Sequence, residues 1–231
     1  MPTLQVRLLK AIENTGKPIV LILSNGRPLA LGNITPHCKA ILEIWQPGIQ
    51  AGLAVARTLS GINNPSGKLD VTFPQSVGQI PIYYDRRNPA RTGDMGLYQD
   101  ISSDPMYEFG YGLSYTQFTP SEIKTSTASV HEGETLELEI NVTNNGEYDG
   151  KEVVQWFVSA KADKIARPIK ELKFFDKQMI KKGETKTFKW NVHPLRDLGF
   201  VDSKGHHFLT AGEYTISALG KNIQITVLPK P

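Results

Sequence analysis

The chain has 231 residues, 39% of them apolar and 21% charged, with a formal net charge of +3. That length accommodates two ordinary domains or one large one, each able to bury a core. The basic residues are scattered, with only Lys181-Lys182 and Arg86-Arg87 adjacent, which argues against nucleic acid as a partner.

The longest apolar run, residues 19–23, falls far short of the ~18 residues a bilayer span needs, so no membrane contact is expected. The first residues are amphipathic and lack the apolar stretch of a signal peptide. A single cysteine, Cys38, excludes an internal disulfide and a cysteine-based zinc cluster.

Taken in order, residues 4–60 alternate helical and strand patterns. Leu4, Val6, Leu8, Leu9 and Ile12 fall mostly at helical spacing, and Gly16 stops the segment. Residues 18–23 read as a short, buried parallel strand. The turn Asn25, Gly26, Arg27 and Pro28 follows it, at a strand C-terminus where α/β proteins tend to bind ligands. A second strand is expected over 40–45 and a helix over 49–59. Helix, strand, short helix, strand, helix is the grammar of a parallel α/β sheet. Two parallel strands cannot shield their own edges, so further strands are expected from elsewhere, and the exposed half-sheet invites self-association.

Residues 65–118 are loop-rich, yet they carry tyrosines at 83, 84, 98, 107, 111 and 115. Bulky aromatic side chains pack, so this reads as an ordered connection rather than a slack linker. From residue 119 onward the pattern is all-β. Leu136, Leu138, Ile140 and Val142 alternate with polar residues, and Asn144, Asn145 and Gly146 supply a turn. Further strands are expected over 152–159, 170–180, 184–192, 213–219 and 223–228. Six or seven strands in about 110 residues fit an immunoglobulin- or fibronectin III-like sandwich. The fold class is therefore α/β plus all-β: a partial parallel-sheet unit followed by a β-sandwich.

No catalytic constellation stands out. Glu43 sits mid-strand among apolar neighbours, and Asp70 suits a turn. Asp100 and Asp104 lie in the tyrosine-rich loop. His206 and His207, adjacent on a strand, point to opposite faces and suit no shared metal. Ser24 and Ser114 lack a His-Asp partnership. Trp45, Trp156 and Trp190 lie on expected strands among apolar residues and suit a core better than sugar stacking.

Four sets of residues in fixed order carry a resemblance. The first is 15–31, TGKPIVLILSNGRPLAL. The second comprises Trp45, Pro47 and Gly48, then 64–69, Phe73-Pro74 and 78–84. The third is 105–115, PMYEFGYGLSY, with Gly110 and Gly112 as its glycines. The fourth comprises 142–146, 150–155, Arg167-Pro168 and 171–173. Together these resemble the C-terminal part of family 3 glycoside hydrolases of the β-glucosidase type. The chain departs from that pattern at Ala51, at Trp156-Phe157 (usually Leu-Tyr) and at Phe174-Phe175 (commonly Gly-Phe).

The resemblance implies that 1–85 is the C-terminal part of an α/β sandwich domain, 86–118 a connecting loop, and 119–231 a fibronectin III-like domain. It implies retaining hydrolysis of terminal β-linked sugars, with a β-glucoside or oligosaccharide as substrate and no cofactor or metal. The family's nucleophile and acid/base glutamate lie on a TIM barrel and on α/β residues upstream, so the chain is expected to lack both and to be inactive alone. Tyr98, Asp100 and Tyr107 are expected to line or brace the sugar pocket, or else to hold the loop onto the sandwich. The family is often exported, which suggests a secreted or periplasmic setting. Rival readings are a carbohydrate- or protein-binding module and a subunit that complements a separate barrel chain.

Overall fold

A computed structural model describes residues 1–87, 101–160 and 166–229, which group into two units. The first unit comprises 1–63, 68–84 and 101–112, and the second comprises 64–67, 85–87 and the described residues from 113 onward.

In the first unit, α1 (Thr3–Glu13) precedes β1 (Val20–Leu23), and a 3₁₀ turn at Thr35–His37 leads into β2 (Ala40–Glu43). Helix α2 (Ala51–Leu59) follows. The strands are parallel, with Leu21 beside Ile41 and Leu23 beside Glu43. Leu9 of α1 and Leu23 of β1 meet Leu31, Ile34 and Phe73 in a small core. Each such side chain contributes about 1.5–3 kcal/mol when fully buried.

The order helix, strand, short helix, strand, helix is as the periodicity predicts, with each element slightly shorter. Much apolar surface in this unit stays uncovered. Leu4, Leu8 and Ile12, spaced four apart along α1, are 74%, 61% and 43% exposed. Val20 and Ile22, on one face of β1, are also exposed. Parallel sheets are ordinarily covered on both faces, so these residues form an unsatisfied surface of the unit.

The second unit opens with three short strands, β3 (Phe118–Pro120), β4 (Lys124–Thr125) and β5 (Ser129–Val130). Four long ones follow: β6 (Leu136–Asn144), β7 (Gly150–Ala160), β8 (Glu171–Ile180) and β9 (Thr185–Val192). A single helical turn, α3 (Pro194–Asp197), precedes the small hairpin of β10 (Phe200–Val201) and β11 (His207–Phe208). Strands β12 (Gly212–Ala218) and β13 (Lys221–Val227) complete the unit.

One sheet runs β5-β13-β12-β7-β8, and the other sets β3, β4 and β9 against β6. Leu138, Ile140 and Val142 of one sheet and Val154, Trp156 and Ile216 of the other share one buried core. This is the sandwich that the period-two alternation predicts. The strands it did not predict are those of two or three residues, too short to show a period.

Side chains lock the turns of the sandwich together. Asn144 is fully buried, and its Nδ2 donates to the carbonyls of Tyr148 (2.8 Å) and Ile180 (3.0 Å). Its Oδ1 accepts from Thr116 Oγ1 at 2.6 Å and from Gly146 N at 3.2 Å. Three stretches of chain therefore converge on one amide. Residues 64–67 and 85–87 precede the sandwich in sequence but belong to it in space. Asn64 Nδ2 donates to the Asp149 carbonyl, Lys177 Nζ to that of Ser66, and Ile169 N to that of Arg86. Among the described residues, no helix is long and apolar enough to cross a membrane.

Candidate functional site

The turn over residues 24–28 leaves the C-terminal end of β1, beside the end of β2. Glu43 closes β2, and both of its oxygens are engaged. Oε1 accepts from Trp45 N at 2.8 Å and Oε2 from Asn25 Nδ2 at 3.2 Å. The Trp45 carbonyl accepts in turn from Ser24 Oγ at 3.0 Å and from Asn25 N at 3.1 Å.

This clasp holds Trp45 at φ +50°, a left-handed conformation rare for a bulky residue and costing about 1–3 kcal/mol. Asn25 Oδ1 is buried without a hydrogen-bond partner among the described residues. Gly26 backs onto the Gln46 side chain, while Arg27 projects into solvent. Pro28, half-buried, leads back to the core residue Leu31. Glu43 is thus a clasp for the turn, with both oxygens committed to hydrogen bonds.

The third motif is built onto the same unit. Phe73 N donates to the Tyr107 carbonyl (2.9 Å) and Met106 N to that of Phe73 (2.8 Å). Leu69 N donates to the Tyr111 carbonyl and Gly110 N to that of Leu69. Gly110 stands at φ +83°, where a side chain would be strained. The Gly112 carbonyl accepts from Lys68 Nζ at 3.1 Å. Aromatic rings run continuously through this region: Trp45 to Phe73 (5.8 Å), Phe73 to Tyr107 (6.4 Å) and Tyr107 to Tyr111 (5.0 Å, stacked).

Tyr107 is thereby bonded to Phe73 and stacked on Tyr111 within the first unit. Its partner Phe73 lies 34 positions earlier in the chain, on a segment without regular secondary structure, so no local pattern announces the contact. Tyr98 and Asp100 lie outside the described residues.

Two residues not singled out in the sequence do comparable work. Gln79 Nε2 donates to the carbonyls of Ser102 (2.9 Å) and Asp104 (3.0 Å), and Gln75 Nε2 also donates to that of Asp104 (2.9 Å). The only signal available was their place inside a motif segment, at Gln79, or just after one, at Gln75. Asp104 itself accepts from Ser102 Oγ and so stiffens its own turn.

Several other candidates make structural contacts. Ser24 and Ser114 hydroxyls bond to Trp45 and Asn64, and Trp156 and Trp190 lie in the sandwich core. Arg167 Nη1 donates to the Leu198 carbonyl, and its guanidinium lies over the rings of Phe200 (5.1 Å) and Tyr214 (5.5 Å). His206 pairs with Asp202 rather than with His207. Among the described residues, no three or more His, Cys, Asp or Glu side chains gather in a metal-holding arrangement.

Comparison with known proteins places these features. Residues 1–115 match the glycosyl hydrolase family 3 C-terminal domain, and 152–221 match the fibronectin type III-like domain. The chain is 41% identical to the periplasmic β-glucosidase of Salmonella typhimurium, over 94% of its own length and 29% of that protein's. It is 37% identical to a β-xylosidase of Formosa agariphila, over 92% of its length and 29% of the relative's. The crystal structure of a Listeria innocua β-glucosidase in complex with glucose superposes with a TM-score of 0.88 at 35% identity. That match covers 99% of this chain and 33% of the other. The chain thus spans about 29% of the length of these two relatives by sequence.

Proposed function

We propose, from the premise that this chain belongs to glycosyl hydrolase family 3, that it is the C-terminal part of a retaining β-glycosidase acting on terminal β-linked sugars, β-glucosides foremost. The observation that carries this reading is the 41% identity to a β-glucosidase over nearly the whole chain, on a protein more than three times as long. Residues 1–85 then complete an α/β sandwich domain, 86–118 connect, and 119–231 form the fibronectin III-like domain. The exposed stripe of Leu4, Leu8 and Ile12, with Val20 and Ile22, supports a first unit completed by further polypeptide.

Retention of configuration requires two carboxyl groups about 5–5.5 Å apart across one sugar ring. In the family these come from the barrel and from α/β residues upstream of Thr15. Three carboxylates of the first unit have other work: Glu43 clasps a turn, Glu13 pairs with His37 and Asp104 caps its own loop. The isolated chain accordingly binds no reacting sugar and hydrolyses none. Tyr98, Asp100 and Tyr107 belong to the loop that borders the pocket in the complete enzyme, and Tyr107 acts there by bracing it.

The experiment is an assay with an aryl β-glucoside, run on the 231-residue chain and on the same chain joined to an upstream barrel of the family. Turnover is expected only in the joined protein, with the β-anomer appearing first by proton NMR. Turnover by the chain alone that a point substitution abolishes overturns the reading.

A further inference from the structure

The dipeptide Asn-Gly occurs twice, at Asn25-Gly26 and at Asn145-Gly146. It is a chemically labile step, because a glycine lets its own backbone nitrogen reach the preceding carboxamide. That nitrogen, once deprotonated, bonds to the asparagine Cγ. The Cγ–Nδ2 bond breaks, Nδ2 leaves as ammonia with the proton that the glycine gave up, and a succinimide ring closes. Water then opens the ring at either carbonyl to give aspartate or isoaspartate. The reaction needs a free backbone N–H as nucleophile and a side-chain oxygen able to carry negative charge as the new bond forms.

The fold withholds a different requirement at each step. At Asn145-Gly146 it withholds the nucleophile. Gly146 N donates to Asn144 Oδ1 at 3.2 Å, and Thr116 and Gln117 pack the glycine too tightly for its backbone to shift. At Asn25-Gly26 the nucleophile is free. Gly26 is exposed, and its N–H has no hydrogen-bond partner among the described residues. The carboxamide is what is held there. Asn25 Nδ2 donates to Glu43 Oε2 at 3.2 Å, and Asn25 Oδ1 is buried without a donor among the described residues.

We propose that Asn25-Gly26 is a deamidation site of this chain, held shut by the Glu43 carboxylate. A hydrogen bond from Nδ2 to an anion sends electron density into the carboxamide and makes Cγ a poorer electrophile. The same negative charge lies beside the oxygen that must become an oxyanion, the reverse of the donors that stabilise such a charge. Burial of Oδ1 keeps water from compensating. Conversion undoes the clasp. Aspartate sets a carboxylate against Glu43 where a donor stood, and isoaspartate also lengthens the main chain by one methylene beside the Trp45 carbonyl that Asn25 N bonds. The left-handed Trp45 then loses its support. None of this depends on which sugar the complete protein cleaves.

The test is peptide mapping by mass spectrometry after the full chain has been held in mildly alkaline buffer, either folded or in urea. Both asparagines are expected to persist in the folded parent chain and to convert in urea. Glu43→Gln keeps an acceptor for Trp45 N and sets an amide donor, in place of the charge, beside the Asn25 carboxamide. It should speed conversion of Asn25 in the folded chain about tenfold, while Asn145 keeps its slow rate. Ser24→Ala loosens the same clasp at the Trp45 carbonyl but leaves the charge, so Asn25 should stay slow. Rapid conversion of Asn25 in the folded parent, an unchanged rate in Glu43→Gln, or equal acceleration in Glu43→Gln and Ser24→Ala would overturn the proposal. Hydrogen exchange of the β1 and β2 amides separates a lost charge from a lost fold. It should match the parent in Glu43→Gln, and exchange that rises in step with deamidation would also overturn the proposal.

Discussion

Trp156 on β7 and Phe174 on β8 stand directly opposite each other, and both rings lie against Trp190 of the facing sheet. The centroid distances to Trp190 are 6.0 Å in each case, tilted for Trp156 and stacked for Phe174. These are two of the positions where the chain departs from the family pattern, so the departures are spatial neighbours. Trp156→Leu is expected to cost about 2–4 kcal/mol, since the indole is fully buried. Phe174→Ala should cost less, because that ring is 36% exposed. In a double-mutant cycle read by urea denaturation, the pair should couple by about 1 kcal/mol. Strict additivity would mean that the rings do not support one another.

The clasp at the end of β2 makes a separate prediction. Glu43→Ala removes the acceptor for both Trp45 N and Asn25 Nδ2. A partly buried donor left without an acceptor costs about 1–3 kcal/mol. The Trp45 amide should then exchange with solvent much faster than in the parent chain, while amides of β6 and β7 keep their rates. Unaltered exchange at Trp45 would show that the turn holds without Glu43.

Glycine positions can be ranked by the space around them. A Cβ on Gly146 would lie 2.2 Å from Thr116 Oγ1 and 2.5 Å from Gln117 N, the second a backbone atom that cannot swing aside. Gly146→Ala is expected to lower stability by about 2–3 kcal/mol. A Cβ on Gly48 meets nothing within 4 Å, so Gly48→Ala should fall within about 0.5 kcal/mol of the parent. Equal thermal shifts for the two variants would contradict this packing.

Acid should act on the turn between β10 and β11. The backbone amides of His206 and Lys204 donate to Asp202, and the His206 amide is the largest cause holding its carboxyl below the usual range. A carboxyl with a lowered folded pKa stabilises the turn above its unfolded pKa, and that contribution is lost as pH falls through the folded value. The hairpin should therefore stay intact at neutral and mildly acidic pH and loosen only below the ordinary carboxylate range. Asp202→Asn keeps an acceptor oxygen and removes the titration. Below the ordinary carboxylate range its His206 amide resonance should no longer respond to acid, whereas a response there like that of the parent would point to another group.

Much of this architecture was legible in the residues themselves. Leu136, Leu138, Ile140 and Val142 lie on one face because strand side chains alternate, and that period survives any tertiary context. Four ordered motifs were enough to indicate the family, since each is a short run of turn residues and apolar strand held close in sequence. The two helices of the first unit likewise followed from spacing. What alternation and spacing cannot encode is which distant segments meet. Nothing near Tyr107 says that it will bond to Phe73, nor does anything near Asn144 say that Thr116 and Ile180 will converge on its amide. The left-handed Trp45 was equally hidden, because a tryptophan carries no signal for that conformation, and only the clasp from Glu43, Ser24 and Asn25 sustains it. The periodic pattern decided which faces are buried. The folded chain decided which loops are tied down, because that outcome depends on contacts between residues far apart in the sequence.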